Sequence, residues 1–176
     1  FASAMTINST ELVAWIASYL WPFARIAAMI SVAPILGTQT VPVRQRAGIA
    51  VGLTVVIAPL IPPVHGVDPF SLAGVIVTVQ QVLIGLAIGF AVRLVFSALE
   101  NGGNSIAMLM GLGFAEMMDP QSGVEVPMIS QFFTILAGLL FVSMDGHLVL
   151  IQVMAQSFHT LPVAVEGLSR GGRWQL

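Results

Sequence analysis

The sequence predicts an all-α membrane protein: long, kinked apolar helices and helical hairpins, with an irregular Met-rich loop set between two of the helices. Three observations carry this. The 176 residues are 57% hydrophobic and 8% charged, with a mean hydropathy of +0.96, whereas soluble domains are about 25% charged. Uncharged apolar runs recur that are long enough to cross a hydrocarbon core of about 30 Å. Between two such runs, residues 108–128 gather five of the nine methionines, three of the eight carboxylates and two of the ten prolines.

Taken in order, Asn8-Ser9-Thr10-Glu11 offers N-cap residues and an early acid, and so starts a helix. An apolar run over residues 12–36 follows. Trp15, Tyr19 and Trp21 lie near its beginning, where an interfacial aromatic belt sits, and Pro22 and Pro34 kink or end it. Arg25 is its one charge, which must face protein or water, or reach the interface. As a structural residue it would cap carbonyls or a carboxylate; the alternative is a place on a channel wall. Residues 37–46 read as a turn carrying Arg44 and Arg46, a weak cytoplasmic signal. Residues 47–67 are uncharged and contain Gly48-x-x-x-Gly52, a close-packing motif of apolar helices, before Pro59, Pro62 and Pro63.

Asp68-Pro69-Phe70-Ser71 restarts a helix, and residues 69–92 are again uncharged. They hold Gln80 and Gln81, which should hydrogen-bond between helices, and a second small-residue motif, Gly85-x-x-x-Gly89. Arg93 joins Arg25, Gln80 and Gln81 as an expected buried polar or charged group. Asn101-Gly102-Gly103-Asn104 should break or cap this helix. Residues 126–144 and 148–165 are the last two apolar segments. The turn Asp145-Gly146-His147 between them is so short that an antiparallel helical hairpin is expected. Three organisational units result: a tail at 1–10, a helical domain at 11–166, and a polar, Gly-rich tail or start of a further loop at 167–176.

Several chemistries are absent. The net charge of −2 gives no basic footprint for nucleic acid, and the lack of cysteine removes disulfides, thiolate metal sites and Cys nucleophiles. His65, His147 and His159 are scattered, without the i,i+4 spacing of a helical zinc site. No nucleophile, base and oxyanion donor fall within reach of one another, so no enzyme, metal or cofactor is expected. The Met-rich stretch is the unusual feature. A non-helical loop among membrane-length helices would leave backbone groups unpaired if it faced lipid, so it should pack inside protein or border a water-filled path. Methionine is most often core filler. It is also the adaptable side chain that a yielding seal needs, and here Met117 and Met118 sit at a chain break beside Asp119 and Pro120. That reading is a deformable stopper in a protein-conducting channel. The alternative is a small-solute carrier whose midplane polar site is built from Arg25, Arg93 and the Gln pair.

Six short motifs, in order, carry a resemblance. They are Ala33-Pro-Ile-Leu-Gly37, Val41-Pro-Val-Arg44, Gln80-Gln-Val-Leu-Ile-Gly85, Gly111-Leu-Gly-Phe114 with Met118-Asp-Pro120, Asp145-Gly-His-Leu148 and Phe158-His-Thr-Leu-Pro162. Each is weak alone; together they resemble the FliR family of type III export-gate proteins, with its virulence-system relatives SpaR and SctT. The resemblance implies a structural, channel-forming subunit at the bacterial inner membrane, in the flagellar basal body. It would assemble with FliP-like and FliQ-like membrane subunits in contact with lipid, work with cytoplasmic export-gate proteins and pass unfolded export substrates. It also implies that much of the assembled cone stands outside the bilayer plane. The loop over residues 113–126 would be the channel plug, with Gly113, Phe114, Met117, Met118, Asp119, Pro120, Val124 and Val126 as its residues. Relatives continue past the last motif with further apolar segments, where residues 163–176 stand here, so the helical domain is expected to be shorter than the family's.

Overall fold

The computed structural model describes residues 9–34, 37, 41–61, 69, 71–112, 116–118 and 125–163, with backbone only for 9–14, 116–118, 125 and 126. The architecture is all-α apart from one short ribbon. In order it runs α1 (Ser9–Val32), α2 (Val43–Ile57) with a 3-10 turn (Ala58–Leu60), α3 (Leu72–Leu109), β1 (Glu116–Met118), β2 (Glu125–Pro127), α4 (Met128–Ser143) and α5 (Gly146–Thr160). Among the described residues three helices are long and apolar enough to cross a membrane, and α4 with α5 adds a fourth span if that bent pair is taken as one.

The helix ends follow local chemistry. Pro22 lies inside α1, which runs on to Val32; Ala33 N–H then donates to the Met29 carbonyl at 2.9 Å, and Gly37 N–H to the Ala33 carbonyl at 2.8 Å. α2 starts earlier than expected. Arg44 and Arg46 belong to its first turn and not to a loop. Pro42, with φ −56°, presets a helical entry, and its carbonyl accepts from Gln45 N–H at 2.9 Å and Arg46 N–H at 3.2 Å. Cations at a helix N-terminus oppose the dipole, so Arg44 and Arg46 do not announce a helix start in the sequence. The apolar run that follows stays helical only to Ile57, because Pro59 imposes the 3-10 turn.

Ser71 caps α3, its hydroxyl accepting from Gly74 N–H at 3.1 Å. α3 then continues for 38 residues, about 57 Å at 1.5 Å per residue. The expected break at residues 101–104 does not occur. Gly103 is there for contact: a Cβ on it would sit 2.7 Å from the Ser130 Cα of α4. The Met-rich connection is also more regular than expected. β1 and β2 form an antiparallel ladder that pairs Glu116 with Pro127, Met117 with Val126 and Met118 with Glu125.

The last two helices do not form an antiparallel hairpin. They meet at a bend of 67°. Asp145 takes the left-handed conformation (φ 56°, ψ 26°), and its carbonyl at once accepts from Leu148 and Val149 N–H, so the helix re-forms before the chain can reverse. Gly146 lets the corner close, since a Cβ there would fall 2.5 Å from the Phe141 ring.

Packing centres on α3. α1 lies parallel to its first half: Trp21 Nε1 donates to Thr78 Oγ1 at 3.2 Å, Gly85 abuts Arg25 and Gly89 abuts Met29. α4 runs antiparallel along its second half, with Ser130 Oγ donating to the Glu100 carbonyl at 2.7 Å and Phe141 edge-on to Phe96 at 5.7 Å. The core joins Trp21, Ile26, Met29 and Ile30 of α1 to Ala50 and Ile57 of α2, Val77 of α3 and Met154 and Phe158 of α5. Large apolar side chains such as Val55, Leu83, Phe90, Phe132 and Leu139 stay exposed, a surface suited to lipid or to apolar neighbours.

Candidate functional site

Two places hold the residues singled out by the sequence. The first is a buried polar knot around Arg25, where α1, α3 and α5 converge. Arg25 is fully buried. Its Nε donates to Gln81 Oε1 at 2.8 Å, Nη1 to Ser157 Oγ at 3.0 Å, and Nη2 both to Gln81 Oε1 and to the Leu161 carbonyl at 2.9 Å. The Phe158 ring covers the guanidinium, with Cζ 4.1 Å from its centroid. Every acceptor is a neutral oxygen. Three partial charges therefore offset the cation: the forked amide oxygen of Gln81, the negative face of the ring, and the carbonyl end of α5, where the helix dipole is negative.

Ser157 suits this place because one hydroxyl serves two bonds: it accepts from Arg25 and donates to the Met154 carbonyl at 2.6 Å. Gln81 is buried, while Gln80, one residue round the helix, is half-buried. Gly85 makes the close approach possible. A Cβ there would lie 2.1 Å from the Arg25 carbonyl oxygen, and one on Gly89 2.6 Å from the Met29 carbonyl oxygen. With Arg25 and Gln81 both sealed from solvent, the knot holds three helices together and presents no open binding face.

Arg93 does not join this knot. It is exposed, which corrects the expectation of a buried group. Twelve residues beyond Gln81, at 100° per residue, it has turned about 120° from the face that meets α1, and α1 has already ended at Val32. Gly48 and Gly52 are exposed too, and a Cβ on either would meet nothing within 4 Å. The buried residues of α2, Ala50, Thr54 and Ile57, lie on another face.

The second place is the α3–α4 connection. Gly113, Phe114, Asp119, Pro120 and Val124 lie outside the described residues; Met117, Met118 and Val126 are described by backbone alone, on the paired strands. Each strand continues within a few residues into a helix that packs on its neighbour, so both roots of the loop are anchored. Among the described residues no group of three or more His, Asp or Glu side chains is placed to hold a metal ion.

Reading the sequence alone missed Ser157, Phe158 and the Leu161 carbonyl as partners of Arg25, and Gly103 with Ser130 as a helix contact. A signal for the first set was present. The Gln80-to-Gly85 and Phe158-to-Pro162 motifs both converge on Arg25.

Residues 16–175 match the family described as bacterial export proteins, family 1. Relatives called flagellar biosynthetic protein FliR include those of Pectobacterium carotovorum subsp. carotovorum, 40% identical over 91% of this chain and 61% of that protein, and of Escherichia coli (strain K12), 39% identical over 94% and 63%. The Bacillus subtilis (strain 168) protein of that name is 30% identical over 83% of this chain and 56% of its own length. The chain thus spans about three fifths of the length of the curated relatives it matches.

Proposed function

Because the chain belongs to the bacterial export proteins, family 1, we propose that it is a structural, channel-forming part of the flagellar type III protein export gate, and that its α3–α4 loop plugs the conduit. The observation that carries this reading is the loop itself. Between two apolar helices that pack on one another, the chain leaves the helix and pairs with itself over three residues on each side. Such a ribbon pairs the inward-facing part of its backbone with itself and leaves its outer edges to water or to protein acceptors, which suits a lumen lined by protein better than lipid. Its methionines supply soft, reshapeable surface.

In this reading the protein performs no covalent chemistry. α1, α3 and α5, tied at Arg25, form a fixed wall. The loop is the yielding part, and an unfolded export substrate shifts it from closed to open by binding the open state better. FliP-like and FliQ-like membrane subunits complete the wall at the inner membrane of the basal body, cytoplasmic export-gate proteins deliver substrate, and the driving energy comes from those components. The test replaces Phe114, Met117 and Met118 by Ala and measures ion leak across membranes containing the assembled gate. A leak well above wild type is expected. An unchanged leak in a gate that assembles normally removes the plug role.

A further inference from the structure

The exposed surface of α3 changes character at Arg93. Over residues 72–92 its exposed side chains are apolar, Ile76, Val79, Leu83 and Phe90 among them, while Thr78 and Gln81 turn to α1, where they meet Trp21 and Arg25. The next thirteen residues, 93–105, hold six polar or charged side chains: Arg93, Ser97, Glu100, Asn101, Asn104 and Ser105. At 100° and 1.5 Å per residue these six share an arc of about 140°, so they form one stripe about 18 Å long. It runs beside the packed faces of the helix. α1 has ended at Val32, and α4 lies to one side, on Phe96 and Gly103.

Arg93, Asn101 and Ser105 are exposed; Ser97, Glu100 and Asn104 are half-buried. Ser105 Oγ donates to the Asn101 carbonyl at 3.0 Å. Among the described residues the side chains of Arg93, Ser97, Asn101 and Asn104 have no hydrogen-bond partner. An apolar helix or an acyl chain laid over them would strand those groups. They suit water, or a partner that brings donors and acceptors of its own. Place and chemistry say which partner. Asn104 stands about 7.5 Å before the end of α3 at Leu109, so the stripe leads into the Met-rich loop past the exposed Met108 and Met110. An Asn amide carries N–H donors and a carbonyl acceptor, the same pair that each peptide unit of an extended chain presents. It can therefore pair with a passing backbone whatever the side chains, and a neutral amide holds neither acidic nor basic segments.

We infer, resting on the reading of the loop as a plug, that Arg93, Ser97, Asn101 and Asn104 form a hydrogen-bonding track for the backbone of an unfolded polypeptide beside that plug. Asn101 and Asn104 donate to its carbonyls and accept from its N–H groups. Ser97 does the same through one hydroxyl, and Arg93 donates to carbonyls at the far end. Each of these bonds replaces one made to water, so the chain is guided without being held.

The test places a photo-crosslinking amino acid at Asn101, Asn104, Ile76, Leu83 or Met117 in the assembled gate, with an export substrate stalled in transit. Adducts to the substrate are expected at Asn101 and Asn104, severalfold above those at Ile76 and Leu83. In a gate that assembles normally, Asn101→Leu with Asn104→Leu should slow export of substrates of unrelated sequence about fivefold, the worth of roughly one hydrogen bond. Asn101→Gln with Asn104→Gln should restore most of the rate, because the amides return. Adducts from Asn101 and Asn104 only to a neighbouring subunit or to lipid, equal adducts at Ile76 and Leu83, or a Leu variant that exports at the wild-type rate, overturn the track. A substrate adduct at Met117 with none at Asn101 or Asn104 overturns the track and leaves the plug standing. No substrate adduct at any of the three removes both.

Discussion

Substituting Ala at Gly85 and at Gly48 should have opposite effects, although each glycine opens a Gly-x-x-x-Gly motif. On Gly85 the added carbon would lie 2.1 Å from the Arg25 carbonyl oxygen and 3.0 Å from the Ala28 Cβ. Relief requires α1 and α3 to part by about 1 Å, because the nearest atom belongs to a backbone that cannot rotate away. That shift stretches the 2.8 Å bond from Arg25 Nε to Gln81 beyond hydrogen-bonding distance. Overpacking costs about 1–3 kcal/mol and a lost charge-assisted bond about 1.5–3 kcal/mol, against a gain of about 1 kcal/mol in helix propensity. The net loss is about 1.5–5 kcal/mol, which lowers the thermal midpoint by roughly 3–20 °C for a chain of this size. On Gly48 nothing lies within 4 Å, so only the propensity gain of about 1 kcal/mol remains and the midpoint should rise by a few degrees. Thermal unfolding of the detergent-solubilised chain, followed by helical circular dichroism, reads both. A Gly85→Ala chain as stable as wild type, or a Gly48→Ala chain that falls as far as Gly85→Ala, refutes the packing argument.

Gln81→Leu should destabilise more than Arg25→Leu in the same assay. The first removes the acceptor of two of the four hydrogen bonds to the buried Arg25 and leaves its Nε–H unpaired, a loss of about 3–6 kcal/mol at about 1.5–3 kcal/mol each. The second leaves only neutral acceptors unsatisfied, about 1–3 kcal/mol. Gly103→Ala should loosen α4 from α3, because its Cβ would fall 2.7 Å from the Ser130 Cα; protease cleavage in the α3–α4 loop, read on gels, should accelerate severalfold. Asp145→Val should cost about 1–2 kcal/mol, since a β-branched residue resists the left-handed backbone found there, whereas Asp145→Gly should cost nothing; thermal midpoints compare the two.

The helices were legible because their signals are local. Uncharged runs, Ser71 as a cap and Pro59 as a stop need no knowledge of the rest of the chain. What escaped depended on neighbours. Gly102 and Gly103 look like a helix break, yet α3 runs through them because α4 must approach closely at Gly103. The turn at Asp145 looks like a reversal, yet the C-terminal end of α5 has to reach Arg25, and the chain bends by 67° instead. The role of Arg25 was half legible. A lone cation in an apolar run demands acceptors, but nothing in the linear sequence says that they come from Gln81, Ser157 and Leu161, 56 to 136 residues away. Arg93 looked equivalent and differs because it points away from the face that meets α1 and because α1 ends at Val32. At the Met-rich loop, the backbone pairing of Met117 with Val126 had no local sign, since three-residue strands carry too little periodicity to read.

Where residues 113–126 sit in the working assembly decides whether the loop is a plug. The direct measurement places a photo-crosslinking amino acid at Met117 or Met118 in the assembled gate, with an export substrate stalled in transit. The expected result is a covalent adduct to the stalled substrate, and none to lipid. Adducts to lipid or to outward-facing subunits alone, with the substrate unlabelled, would put the loop outside the conduit and contradict the account.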